Sequence, residues 1–324
     1  MKRAVIGVDL GGTNMRVGVL NSDGEVLIRF KEATHASDGR QRVIARLLEQ
    51  IRGQALRAGE TGYRVEAVGI GAPGVIDIEN GIVVKSPNFP DWNNFGLGQE
   101  LEAALRLPVF IENDANAAAL GEQWLGAGRG IKSMILITLG TGVGGGLVLN
   151  GEIWHGADGM AGEIGHITII PDGRECSCGN RGCLETYTSA RGIVRSYREA
   201  LDRQGVPKSD PRRDYSSEKI YRAAQEGDST ARAVMEDMGR HLGIGLAGLI
   251  NIFNPEMIVI GGGVMAAWPL FIDAARREVM WRAFEIMAKR TRIAAAELGD
   301  DSGMVGAAAT ALRRIGRAAP DAAA

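Results

Sequence analysis

A two-domain α/β fold is predicted for this chain on three observations. At 324 residues, 45% hydrophobic and 23% charged, it is long enough for two domains with cores of their own. Its first third reads as three meandering strands followed by alternating helices and strands, the order of an α/β layer architecture. Its opening hairpin also recurs. Residues 135–150 align with residues 6–21 at a constant offset, so that Leu10, Gly11, Val19, Leu20 and Asn21 match Leu139, Gly140, Val148, Leu149 and Asn150. A duplication of this length argues for two similar domains rather than a solenoid.

The apolar run at 4–10 predicts a buried strand, Gly11 to Asn14 a tight turn, 15–21 a second strand and 25–33 a third. Val43, Leu47, Leu48 and Ile51 are spaced for a helix over 39–58. A strand at 65–70 runs into Gly69-Ile-Gly71-Ala-Pro73-Gly74; 97–106 reads as a helix, 108–112 as a strand and 114–125 as a helix. The repeated hairpin follows at 135–150. Helices are expected near 188–203, 217–226 and 229–252, with a polar loop from Pro207 to Tyr215. A strand at 257–260 ends in Gly261-Gly262-Gly263, and a helix continues to about 288. The last helix covers about 304–315, and Arg317 to Ala324 reads as a frayed tail.

The net charge of −2 gives no field for nucleic acid or an anionic membrane surface. No apolar run reaches the length of a membrane span. The chain enters a strand directly after Met1-Lys-Arg, so no cleavable leader is expected. An odd number of cysteines in one cluster suits a reducing cytoplasm better than disulfides.

All 3 cysteines and one of the 4 histidines lie between Glu163 and Glu185. The stretch reads Glu163-Ile-Gly-His166, then Cys176-Ser-Cys178-Gly-Asn-Arg-Gly-Cys183-Leu-Glu185. Three thiolates and an imidazole complete a tetrahedral shell for structural zinc. Gly179 and Gly182 let the backbone turn sharply between ligands. The cysteines could instead be buried small hydrophobes, or a redox pair and a spare. Scattered burial does not gather them within one glycine-rich loop, which favours zinc. An ion there would hold Glu163, His166 and Glu185 in fixed relation, bracing a small-molecule site.

Two glycine turns carry phosphate-binding character. In Asp9-Leu-Gly11-Gly12-Thr13-Asn14 a carboxylate ends a strand, and backbone N–H groups in the turn can face phosphate oxygens. Asp9 could hold Mg²⁺ through water, and the Thr13 hydroxyl can donate to a phosphate. Gly140-Thr141-Gly142-Val143-Gly144 offers the same surface in the second copy. Two such turns would grip a nucleoside triphosphate across a cleft; a single one would read as a plain hairpin. Two stretches, Gly140-x-Gly142-x-x-Gly145 and Gly69-x-Gly71-x-x-Gly74, match the dinucleotide fingerprint. That fingerprint needs a helix directly after the glycines, and both are followed by β-type sequence. No Gly-x4-Gly-Lys-Ser/Thr occurs, which excludes a P-loop.

Glu112-Asn113-Asp114-Ala115-Asn116 joins a strand end to a helix start, at the mouth of a sheet where open α/β folds bind ligands. Phosphoryl transfer to an alcohol needs a proton acceptor in line with the γ-phosphate. Asp114 suits that role, with Asn113 bonding a neighbouring hydroxyl. Spacing alone does not separate this from a helix cap, a common job for Asp.

These motifs resemble the ROK family (repressors, uncharacterised reading frames, kinases) of sugar kinases. The matching residues are Asp9-Leu-Gly-Gly-Thr13, Glu112-Asn-Asp-Ala-Asn116, Leu139-Gly-Thr-Gly-Val-Gly144, Gly162-Glu-Ile-Gly-His166, the cysteine run Cys176 to Glu185, and Ile260-Gly-Gly-Gly-Val264. They extend over nearly the whole chain without departure. The resemblance implies two ribonuclease-H-like domains of the actin and hexokinase type with a cleft between them. It implies Asp114 as the base for a sugar 6-hydroxyl. By the same resemblance Gly74, Asn113, Glu163, His166 and Glu185 bind the sugar, and His166, Cys176, Cys178 and Cys183 hold zinc. Gly11, Gly12, Thr13, Thr141 and Gly142 would cradle phosphates, with Asp9 and Asn14 beside them, while Gly262 and Gly263 approach the adenosine. One nitrogen of His166 can bind metal while the other meets the sugar.

Within the family, the run from Cys176 to Arg195 is most similar to bacterial glucokinases. This implies ATP- and Mg²⁺-dependent phosphorylation of D-glucose at O6. The alternatives are a kinase for N-acetylmannosamine or N-acetylglucosamine, and a catalytically silent sugar sensor. Family repressors carry an N-terminal helix-turn-helix; here the first kinase motif begins at Asp9, which argues against DNA binding. The expected division is a small domain over 1–117, rejoined by the C-terminal helix near 304–316, and a large one over 118–303. Family analogy adds a homodimer or higher homo-oligomer.

Overall fold

The computed structural model describes residues 1–318. The chain divides into two compact units. The first comprises Met1–Lys132, Gly146–Gly162 and the stretch from Ala296 onward; the second comprises Ser133–Gly145 and Glu163–Ala295.

The first unit is built on a five-stranded sheet ordered β3-β2-β1-β4-β8. Strands β1 (Lys2–Leu10), β2 (Asn14–Asn21) and β3 (Val26–Ala33) form the antiparallel meander. Strands β4 (Tyr63–Ala72) and β8 (Val109–Asn113) run parallel to β1. Side chains alternate across a strand, and β1 shows the consequence. Ala4, Ile6, Val8 and Leu10 join one core cluster with Val43, Leu47 and Ile51 of helix α1 (Arg40–Glu60). Val5 points the other way, into a cluster with Met304, Val305 and Ala308 of the final helix α10 (Ser302–Ala318).

α10 lies unusually close to the sheet because both surfaces are stripped of side chains. A Cβ on Gly69 would overlap the Ala307 carbonyl, and one on Gly306 would overlap the Ala117 carbonyl of α3 (Asp114–Trp124). Strands β5 (Val75–Asp77), β6 (Ile82–Lys85) and β7 (Asn93–Phe95) form a small antiparallel sheet, followed by α2 (Leu97–Leu105).

The second sheet is ordered β11-β10-β9-β12-β13. Its strands are β9 (Met134–Leu139), β10 (Val143–Leu149), β11 (Glu152–Ile153), β12 (Met257–Gly261) and β13 (Arg292–Ala295). β9, β12 and β13 are parallel, and β10 pairs antiparallel with β11. Position for position this repeats the first sheet, so the hairpin duplication seen in the sequence is a duplication of the whole sheet. The second unit adds α4 (Glu185–Thr188), α5 (Ala190–Arg203), α6 (Ser217–Glu226), α7 (Ser229–Phe253), α8 (Trp268–Arg282) and α9 (Glu285–Arg290). Among the described residues no helix is long and apolar enough to cross a membrane.

Several expectations change in detail. The helix expected over 188–203 is two, because Ser189 is extended and caps α5 by accepting from Gly192 N–H at 3.1 Å. The helix expected to reach 288 breaks at Ala283, also extended. The polar loop after Pro207 contains a short 3₁₀ turn, Pro211–Asp214. β6, β7, β11 and β13 were not anticipated, being too short to show a period. α10 runs through Arg317 to Ala318; the rest of the expected tail lies outside the described residues. The division expected after residue 117 falls inside α3, and the units divide elsewhere. The reason is packing: α3 meets α10 at the Ala117–Gly306 contact, so it stays with the first unit.

Candidate functional site

In the first unit three parallel strands bring their C-terminal ends to one sheet edge. Asp9 of β1 is in register with Gly71 of β4, and Ala72 with Asn113 of β8. The glycine turn Gly11–Thr13 leaves the same edge, closed by Gly11 N–H donating to Asn14 O at 3.0 Å. Asp9 accepts from Arg16 Nη1 at 3.3 Å, and Arg16 also pairs with Asp300. Burial pushes the Asp9 carboxyl above the usual carboxylate range, with Arg16 opposing; a divalent cation nearby would add to that opposition. Gly12 is covered by Asn88, whose Nδ2 would lie 2.5 Å from a Cβ there.

The Glu112–Asn116 motif sits where β8 becomes α3. Asn113 is the helix cap: its Oδ1 accepts from Ala115 N–H at 2.9 Å and Asn116 N–H at 3.2 Å. Its Nδ2 donates to the Gly74 carbonyl at 3.1 Å, which leaves a second amide proton for another acceptor. Gly74 has φ 114 and lies against the Lys85–Ser86 backbone, a place no side chain fits. Asp114 is the first residue of α3, with Oδ1 2.9 Å from Ala115 N. The cap is therefore made by Asn113, and the helix does not need Asp114 for it.

In the second unit the turn Gly140–Gly142 joins β9 to β10, closed by Gly140 N–H donating to Gly142 O at 2.9 Å. Thr141 lines a cavity of about 490 Å³ together with Ala190, Val194 and three arginines of α5, Arg191, Arg195 and Arg198. Gly262, with φ 95, lies beside the end of β9: a Cβ there would be 2.5 Å from the Leu139 carbonyl. Gly263 opens the short 3₁₀ helix that follows.

The cysteine loop packs against that same turn. Glu185 begins α4, and its Oε2 accepts from Val143 N–H at 2.9 Å. Glu163 is exposed, and its Oε2 is 3.8 Å from His166 Nε2. His166 Nδ1 instead faces Cys176 Sγ at 3.6 Å. Cys178 and Cys183 Sγ are 3.7 Å apart, and all four ligand atoms lie within 4.8 Å of one another. Zn–S bonds of about 2.3 Å in a tetrahedron set sulfurs about 3.8 Å apart, so the group fits zinc. It does not fit disulfides, and all three thiols are unpaired.

Burial and the two neighbouring sulfurs push the Cys183 thiol up to about 12, while the Asn180 backbone N–H pulls Cys178 down. Three thiolates this close need a cation among them. Gly182 is left-handed at φ 74 beneath the Ile170 carbonyl, and Gly179 at φ 92. The expectation that glycines make the turns between ligands therefore holds.

The profile of the ROK family matches residues 5–314. The chain belongs to the ROK family. A glucokinase of Thermotoga maritima is 40% identical over 97% of this chain and 99% of its own. A ROK glucokinase of Streptomyces griseus, solved in complex with glucose and AMPPNP, superposes with a TM-score of 0.76 at 36% identity, covering 96% of this chain and 99% of that one. A xylose repressor of Caldicellulosiruptor bescii is 33% identical over 94% of this chain but only 76% of its own. The two-domain α/β fold of ROK kinases is thus the fold of this chain.

Reading motifs missed three neighbours of these sites. Arg16 pairs with Asp9 across the first hairpin, a register the tight turn already implied. Asn88 and the pair Glu112–His155 come together only in the folded chain; Glu112 stood inside a quoted motif without a role.

Proposed function

We propose that this ROK protein transfers the γ-phosphoryl group of ATP to O6 of D-glucose. The observation that carries the proposal is the division of labour at the start of α3. Asn113 caps the helix and holds Gly74, while Asp114, beside it at the sheet edge, takes the O6 proton. In the first unit Gly74 and Asn113 bind sugar hydroxyls, and the Asp9–Asn14 turn receives phosphate and Mg²⁺. In the second, Glu163, His166 and Glu185 bind sugar hydroxyls, Thr141 and Gly142 receive phosphate, and Gly262 and Gly263 face adenosine. The cavity beside Thr141 supports the nucleoside assignment, since Ala190 and Val194 form an apolar shelf with arginines around it. Zinc on His166 Nδ1 leaves Nε2 for a sugar hydroxyl and fixes the ring.

A coupled assay with Mg²⁺-ATP and a hexose panel tests the reading. Glucose is expected to have the highest kcat/KM, above mannose, N-acetylmannosamine and N-acetylglucosamine. A higher value for an N-acetylated sugar moves the activity to that substrate. Glucose binding without turnover on any sugar makes the protein a sensor, and polyphosphate used in preference to ATP changes the donor. The three unpaired thiols suit a reducing compartment, the cytoplasm.

We propose that self-association uses one end of the second unit. Ile252, Met280, Trp281, Phe284 and Ile286 are 48–75% exposed there, and Phe284 N–H is tied to Asn251 Oδ1 at 2.8 Å. An apolar group of this kind marks an interface. Trp281→Glu with Phe284→Glu is expected to move a dimer to monomer in sedimentation at micromolar concentration, leaving zinc content unchanged. A wild-type monomer under the same conditions ends this part of the proposal.

A further inference from the structure

We propose that His155 is a positioning residue for phosphoryl transfer, acting through Glu112 on the turn that carries Asp114. The inference rests on the kinase reading above.

Glu112 is 2% exposed, and a carboxylate so buried needs donors on both oxygens. Its Oε1 accepts from Asn113 N–H at 3.0 Å and from Asn116 Nδ2 at 3.1 Å. These partners flank Asp114 in the chain, so one carboxylate oxygen grips both sides of the residue assigned as base. Asn116 is itself 1% exposed, and its Oδ1 has no partner among the described residues. The bond to Glu112 is what orients that amide. Oε2 of Glu112 lies 2.9 Å from His155 Nε2. Because an ionised carboxylate only accepts, Nε2 carries the proton.

Of these partners of Glu112, His155 is the one that comes from outside the β8–α3 junction. It stands after β11 on a loop closed by Ala161 N–H donating to the His155 carbonyl at 3.1 Å. That loop lies flat on β5: Gly159 has φ 86, and a Cβ there would be 2.7 Å from the Ile76 carbonyl. β5 follows Gly74, whose carbonyl is held by Asn113. His155 thus closes a ring of contacts through the loop, β5, Gly74, Asn113 and Glu112. Without its donor, Oε2 is left buried and unpaired, and Glu112 must turn toward water or toward another donor. Either release loosens the backbone on both sides of Asp114. A misplacement of about 1 Å at a reacting group costs about 10²-fold in rate.

The test compares His155→Ala and His155→Gln with wild type, reading kcat, glucose Kd, zinc content and melting temperature. In His155→Ala kcat is expected to fall about 10- to 100-fold, with glucose Kd within about threefold and zinc unchanged. Gln restores most of the loss, because its Nε2 can donate to Glu112. If His155→Ala does not fold, His155→Leu carries the same test: it fills much of the ring's space but offers Glu112 no donor. A wild-type kcat in either variant overturns the proposal, as does a loss that tracks glucose Kd or one that Gln does not restore. A wild-type protein inactive on every hexose fails the kinase reading itself, and this inference with it; an active wild type beside an unaffected variant fails only this one.

Discussion

Asp114→Asn lowers the turnover of glucose phosphorylation by about 10²–10⁴-fold, the range a positioned general base contributes, and leaves glucose affinity nearly unchanged. Asn keeps the size and one carbonyl oxygen of Asp but cannot take the O6 proton. The helix start survives, because the Asn113 side chain caps it by holding Ala115 N–H and Asn116 N–H. The substitution also removes one acidic group from the helix N-terminus, an effect of about 0.3–1 kcal/mol. A thermal melt, a calorimetric glucose titration and a steady-state assay separate these quantities. A kcat within about threefold of wild type would falsify the assignment of Asp114 as base.

Cys178→Ser abolishes stoichiometric zinc and weakens glucose binding by about 10-fold or more, the scale on which a metal site's supporting groups act. Cys178 is exposed whereas Cys183 is fully buried, so substitution at 178 removes a ligand without opening the core. The effect on sugar reaches His166 through the lost anchor on Nδ1. It reaches Glu185 through the chain from Cys183, whose carbonyl accepts from Thr186 N–H at 3.0 Å. Because Glu185 also holds Val143 N–H, the Gly140–Gly142 turn proposed to receive phosphate loosens as well, raising the KM for ATP. Elemental analysis alongside both affinities checks the sequence of effects. Fully active wild-type enzyme that contains no zinc contradicts it.

The contrast between these two residues bears on what a one-dimensional reading can recover. The gathering of His166 with the three cysteines was legible because coordination chemistry demands particular residue types at short spacing, and all three cysteines meet it within eight residues. The strand–turn–strand duplication was legible because buried strands are continuous apolar runs and their turns need glycine. Asp114 was half legible: Asp at a strand-to-helix junction serves as cap or base, and nothing local distinguishes them. The fold gives the cap to Asn113, which is also drawn to Gly74, 39 residues earlier in the chain, and the proposal of Asp114 as base builds on that.

Local chemistry written along the chain therefore specified the repeated hairpin, the cysteine loop, both glycine turns and the family. Contacts between distant segments specified the rest. α10 settles against Gly69 of β4 and, through its own Gly306, against the Ala117 carbonyl of α3, because neither glycine holds the backbones apart, and the units divide away from residue 117. His155 meets Glu112 because burying a carboxylate requires a donor, and that donor lies 43 residues away. Periodicity and spacing record what a residue needs from its near neighbours; desolvation and close packing are satisfied by whichever part of the chain the fold brings there.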